Sequence, residues 1–172
     1  MPNRYFSVFF LLVISSMLVA CGLSFFGSEV YGTDVVRQSL NVSVPEGTAE
    51  NARLPAVVFV HGGYWGSGDL LNMSDHVKAA VSNGMVGVTI NYRYATPNSL
   101  WPAQIQDVKC AIRFIKANAE RFHIDPKRVA VVGYSVGGQL ALMTAFSQGV
   151  KSLEKCEYGT DRRDPAKDSS VI

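Results

Sequence analysis

The apolar residues of this chain fall into two kinds of stretch. "AVVFV" (56–60), "MVGVTI" (85–90) and "VAVV" (129–132) are short, continuous and rich in β-branched side chains. That is the pattern of strands covered on both faces, as in a parallel sheet. Between them the spacing becomes helical. Met73, Val77, Ala80 and Val81 share one face over 72–84, closed by Asn83-Gly84 as a stop. Ile105, Val108, Ile112, Ile115, Ala119 and Phe122 form a stripe at i+3/i+4 steps over 101–122, with Pro102 in the first turn. A third helix is predicted from Val136 to about Gln148. Strand and helix alternating in this order predict an α/β fold with a doubly wound, mostly parallel sheet. Ahead of it, "VVRQSLNVSVP" (35–45) alternates loosely, as an exposed edge or antiparallel strand would.

Both ends of the chain depart from this pattern. Residues 1–20 carry Arg4 near the start and then an apolar run from Phe6 to Ala20 broken only by serines. The run is short for a membrane span and fits the apolar core of a secretory signal. It closes on Leu18-Val19-Ala20-Cys21, which resembles the lipobox of bacterial lipoproteins. That resemblance implies an acylated Cys21 as first residue of the mature chain, a membrane lipid anchor and a place in the cell envelope facing the periplasm. The plainer alternative is a signal peptide or uncleaved anchor with Cys21 incidental. Residues 21–34 then read as a polar, glycine-containing tether and 35–172 as the domain. From Val150 onward the chain turns charged and irregular, a surface loop, and its final "SSVI" looks like the first residues of another strand.

Composition narrows the chemistry. The formal net charge is only +2, with no basic stripe, so nothing points to nucleic acid. Beyond Cys21 two cysteines remain, Cys110 and Cys156, with no CxxC and no His/Cys cluster, so no structural zinc is expected. An oxidising compartment would permit a disulfide between them. Cys110, however, lies on the predicted buried side of the 101–122 helix and is expected as a small core residue instead.

The sharpest signal is Gly133-Tyr134-Ser135-Val136-Gly137, set between a predicted buried strand and a predicted helix. Alone, such a pentapeptide is an ordinary glycine-rich turn. In this context it is a nucleophile elbow, where glycines two residues either side permit a bend that lifts the Ser135 hydroxyl clear of the sheet. The helix beyond offers free N–H groups to developing negative charge. A second motif, "VFVHGGYWGSGD" (58–69), follows the strand before the first crossover helix. Its glycines let backbone amides approach a substrate, so Gly62, Gly63 and Val136 are the candidate oxyanion donors. A phosphate-cradling loop is the alternative, but GxxxxGK[ST] and GxGxxG are both missing. Tyr64 and Trp65 are candidates to line the substrate entrance, or else aromatic caps on the sheet.

His61-Gly62-Gly63-Tyr64-Trp65, Asn91-Tyr92-Arg93 and the run from Trp101 to Met143, in this order, resemble bacterial α/β-hydrolase esterases related to hormone-sensitive lipase. Within these the chain is similar to the branch of feruloyl and acetyl esterases. The resemblance covers about residues 54–146. It implies hydrolysis of a small or carbohydrate-linked carboxylic ester through an acyl-enzyme, without metal or cofactor. Val136 stands where alanine is more usual, and Tyr64 where a third glycine often sits. The HGGYW stretch also resembles arylformamidases, which leaves a formamide as an alternative scissile bond.

In this fold the triad order is serine, acid, histidine. After Ser135 come Glu154, Glu157, Asp161, Asp164 and Asp168 but no histidine; His61, His76 and His123 all precede it. His61 opens the oxyanion loop, His76 lies in a helix on the flank, and His123 sits near the strand end opposite the elbow. Asp107, on the long helix, matches a position that the resemblance makes structural. The expectation is therefore a fragment, with the acid and histidine encoded beyond residue 172, since complete domains of this type run to roughly 250 residues. The rival from another class is a non-catalytic binding lipoprotein that keeps the hydrolase scaffold.

Overall fold

The computed structural model describes residues 23–156, and their side chains from residue 27 onward. The expected leader 1–20, Cys21, the acids Glu157, Asp161, Asp164 and Asp168, and the terminal strand entry lie outside the described residues. Five strands form one sheet: β1 (Leu23–Val30), β2 (Ser39–Pro45), β3 (Leu54–Val60), β4 (Val86–Ile90) and β5 (Ile124–Gly133), in the order β1-β2-β4-β3-β5. β3, β4 and β5 run parallel, while β1 and β2 are antiparallel additions. The helices are α1 (Ser74–Ser82), α2 (Ala103–Ala117) and α3 (Val136–Phe146). The sheet is mixed but mostly parallel in its second half, with helices packed on it, the α/β arrangement expected.

Alternation along β3 divides the core between the two faces. Ala56, Val58 and Val60 pack with the α2 stripe (Ile105, Val108, Ile112, Ile115) and with Leu140 of α3. Val57 and Phe59 turn the other way, against Met73, Val77, Ala80 and Val81 at and after the start of α1. Each fully buried Val, Ile, Leu, Phe or Met among them contributes roughly 1.5–3 kcal/mol. Gly87 of β4 lets α1 settle on the sheet, because a Cβ there would come within 2.9 Å of Val77 Cγ1. The long helix ends at Ala117, and a turn over 118–123 carries Ala119 and Phe122 into the same core.

Three expectations need correction. The segment read as a tether over 21–34 contains β1, so the sheet begins by Leu23. Gly27, at φ +91°, lies in a register shift between Phe25 and Ser28, and this bulge breaks the period-two pattern that would reveal a strand. Glu29, polar in sequence, is buried and paired with Arg121. β2 is accordingly interior to the sheet, antiparallel but covered by β1.

Cys110 is buried as expected but also forms a disulfide with Cys156. The sequence cue lies beside it. Lys109 and Arg113 are buried cations on α2, and both pair with Glu154, two residues before Cys156. Charges at buried helix positions demand a partner segment over them, and that segment brings Cys156 within reach. Thirdly, β5 is an edge strand among the described residues, not covered on both faces. Val132 is 43% exposed, and α3, apolar all round, leaves Leu142 and Phe146 in the open.

Candidate active site

Only Tyr134 and Ser135 separate the end of β5 from the start of α3. Ser135 has φ 55° and ψ −121°, a conformation that costs a non-glycine residue on the order of 1–3 kcal/mol. The surroundings impose it. Tyr134 N–H donates to Val60 O (3.1 Å), and Gly137 and Gly138 N–H donate to the carbonyls of Tyr134 and Ser135 (2.9 Å each). Both flanking glycines are obligatory. A Cβ at Gly133 would lie 2.1 Å from the Gly137 carbonyl, and one at Gly137 would lie 2.2 Å from Val60 O. Val136 opens α3, so its N–H has no acceptor one turn back in the helix.

The loop after β3 meets this turn. A Cβ on Gly62 would come 2.9 Å from Tyr134 O and 3.2 Å from Ser135 Cβ; the loop backbone therefore lies directly against the serine. Gly63, at φ +124°, turns the chain, and its carbonyl accepts from the N–H groups of Gly66 and Ser67 and from Ser67 Oγ. Beneath the loop His61 is fully buried and stacked on Tyr92, with ring centres 4.4 Å apart. Its Nδ1 lies 2.6 Å from the Gly62 carbonyl, which assigns the proton to that nitrogen. Burial holds the His61 pKa below its ordinary value, so the ring is neutral at pH 7. Tyr92, its pKa pushed up to about 12 by burial, donates its hydroxyl to His61 O.

Ser135, Gly62, Gly63, Tyr64 and Tyr134 line one cavity of about 560 Å³. Val136 is buried just behind them at the helix start. Trp65 faces a neighbouring cavity of about 350 Å³, shared with Tyr64, Trp101, Gln104 and Gln139. Tyr64 and Trp65 both hold positive φ (53° and 59°), and Ala95 N–H donates to Trp65 O at 2.7 Å. Two successive strained aromatic residues are a feature that sequence reasoning missed, as are Trp101, Gln104 and Gln139. A tryptophan one turn ahead of Ile105, at the very start of the predicted helix, was the available cue.

The histidines are distributed differently from expectation in one case. His76 is on α1, but it lines the Ser135 cavity and its ring sits 6.0 Å from that of Phe59. The first turn of α1 follows closely on the loop, so it faces back toward the elbow instead of out to the flank. Among the described residues no hydrogen bond joins a histidine to Ser135. His123 immediately precedes β5, at the end remote from Ser135, its carbonyl accepting from Leu54 N–H at 2.7 Å. Asp107 is buried against Arg93, which it grips through both carboxylate oxygens (2.7–3.1 Å), and Gln38 Nε2 adds a further bond at 2.8 Å. It anchors the segment after β4.

The BD-FAE family matches residues 40–171. The chain belongs to this family. Carboxylesterase NlhH of Mycobacterium tuberculosis is 39% identical over 93 residues, which cover 54% of this chain and 29% of that protein. A truncated carbohydrate esterase from gut microbiota superposes with a TM-score of 0.66 at 28% identity, over 74% of this chain and 45% of that one. Thermogutta terrifontis esterase 2, phosphorylated by paraoxon, gives a TM-score of 0.69 at 27% identity, over 87% and 54% respectively. This BD-FAE chain thus sits among α/β-hydrolase esterases and spans about a third to a half of the length of these relatives.

Proposed function

We propose that this BD-FAE chain carries the nucleophile and the oxyanion site of a serine ester hydrolase. Ser135 Oγ attacks the ester carbonyl and forms the acyl-enzyme. The N–H groups of Gly62, Gly63 and Val136 receive the oxyanion, a stabilisation of which each donor supplies about 3–4 kcal/mol. His61 is excluded as proton acceptor, since it is buried and already engaged with Gly62 O. One observation carries the reading: a strained Ser135 (φ 55°) packed directly against Gly62 at the wall of one shared cavity.

The alcohol side of the ester is a sugar. The neighbouring cleft is lined by Tyr64, Trp65 and Trp101 together with Gln104 and Gln139. Aromatic faces with a few polar groups suit a ring that has an apolar face and hydroxyl edges. The carbohydrate esterase among the structural relatives supports the same class. We assign Cys21 as the lipid-bearing residue and the cell envelope as the location; the Cys110–Cys156 disulfide supports an oxidising compartment.

The test is hydrolysis of p-nitrophenyl acetate and of an acetylated xylo-oligosaccharide by the full-length gene product. Ser135→Ala should lower kcat at least about a thousandfold, because triad members act as a unit. Retained turnover in that variant rules out Ser135 as nucleophile.

A further inference from the structure

The loop over residues 63–69 is tied to the segment after β4 at two carbonyls, Trp65 O and Gly68 O, and the second is the more heavily held. Gly68 O accepts from the Tyr94 hydroxyl and from the Arg37 guanidinium, the latter at 3.4 Å. That guanidinium also lies 4.1 Å from the centre of the Tyr94 ring. Tyr94 follows β4 and Arg37 precedes β2, so two separate segments converge on one peptide oxygen.

The other side of Gly68 presses on the oxyanion loop. At φ +91°, a Cβ on Gly68 would lie 2.3 Å from Gly62 O and 2.5 Å from His61 Nδ1. The Gly62 carbonyl is therefore confined between the His61 ring, which donates to it at 2.6 Å, and the Gly68 backbone. That carbonyl shares a rigid peptide plane with the Gly63 N–H, which points the opposite way. Fixing the oxygen fixes the direction of the amide hydrogen.

The geometry points to Arg37 and Tyr94 as positioning residues: through Gly68 they hold the Gly63 N–H at the angle an oxyanion donor needs. The inference rests on the reading of Gly62 and Gly63 as oxyanion donors. Neither Arg37 nor Tyr94 lines the Ser135 cavity, so neither is a catalytic residue. Tyr94→Phe removes one hydroxyl and keeps the ring under Arg37; Arg37→Met removes the charge and keeps the stem.

The experiment compares wild-type, Tyr94→Phe, Arg37→Met and Arg37→Lys full-length protein by two readouts. In ester hydrolysis, kcat should fall about tenfold for Tyr94→Phe and Arg37→Met with KM within about twofold, a misaimed donor being less costly than a deleted one. Arg37→Lys should recover part of the loss. A role confined to loop stability would lower the yield of folded protein without changing its kcat. In the 1H–15N spectrum the Gly63 amide should shift in Tyr94→Phe, while those of Gly47 and Gly84, in turns at the opposite end of the sheet, stay put. An unmoved Gly63 amide overturns the inference whatever the activity. So does a shifted amide with unchanged kcat. If the wild type hydrolyses no ester, the esterase reading fails by itself, and the positioning claim stands or falls on the Gly63 amide.

Discussion

Reducing the Cys110–Cys156 bond should destabilise this domain by an amount its chain geometry sets. The cross-link spans 46 residues. In the chain-entropy treatment, closing a loop of that length removes about 13–14 cal/mol/K from the unfolded ensemble, or about 4 kcal/mol at 25 °C. The native side changes little on reduction. Lys109 and Arg113 still hold the Glu154 carboxylate, and Arg113 Nη2 donates to Glu154 O at 2.8 Å, so the strap stays in place without the covalent bond. Nearly all the loss therefore arises in the unfolded state. Urea unfolding with and without a phosphine reductant measures it. With a slope of about 2 kcal/mol/M, the midpoint should fall by about 2 M. A Cys110→Ala/Cys156→Ala variant should start near the reduced midpoint and be insensitive to reductant. A shift below about 0.5 M, roughly 1 kcal/mol, would refute the entropic assignment.

Three further outcomes follow from named contacts. Asp107→Asn leaves Arg93 and Gln38 facing a neutral amide in a buried site, and should cost about 3 kcal/mol in urea unfolding; a loss below about 1 kcal/mol would mean the pair is solvated. Gly137→Ala places a methyl 2.2 Å from Val60 O, so thermal unfolding should show a loss above about 2 kcal/mol together with lost hydrolysis; an unchanged midpoint would contradict the close approach. His61 has its folded pKa depressed mainly by burial. Its contribution to stability is thus complete above the unfolded value of about 6.5 and is lost as pH falls toward the folded value. The urea midpoint should drop as the pH falls below about 6.5 in the wild type, and His61→Asn should flatten that drop; an equal slope in both would remove His61 as its source.

Much of this fold was legible because burial imposes periodicity. β3 and β4 are covered on both faces, and continuous apolar runs marked them; α2 faces one core, and its stripe at 105, 108, 112 and 115 marked that. The elbow was legible for a steric reason: Gly133 and Gly137 occupy space where any Cβ would overlap backbone. What escaped depends on contacts distant in sequence. Glu29 looks like tether until Arg121 meets it, and Cys110 looks like core until Glu154 brings the strap across. His76 looked peripheral because helix phase alone does not say which way the first turn of α1 faces. Tyr64 and Trp65 carry no sequence sign of their positive φ, since that conformation is forced by Gly63 and by the Ala95 bond to Trp65 O.

The reactivity of one hydroxyl decides whether Ser135 is the nucleophile. Full-length protein incubated with paraoxon should gain a single diethyl-phosphoryl adduct by intact mass, and peptide mapping should place it on Ser135, in the turn between β5 and α3. The Ser135→Ala variant should gain none. An adduct on another residue, or equal labelling of the variant, would contradict the assignment of this elbow as the nucleophile.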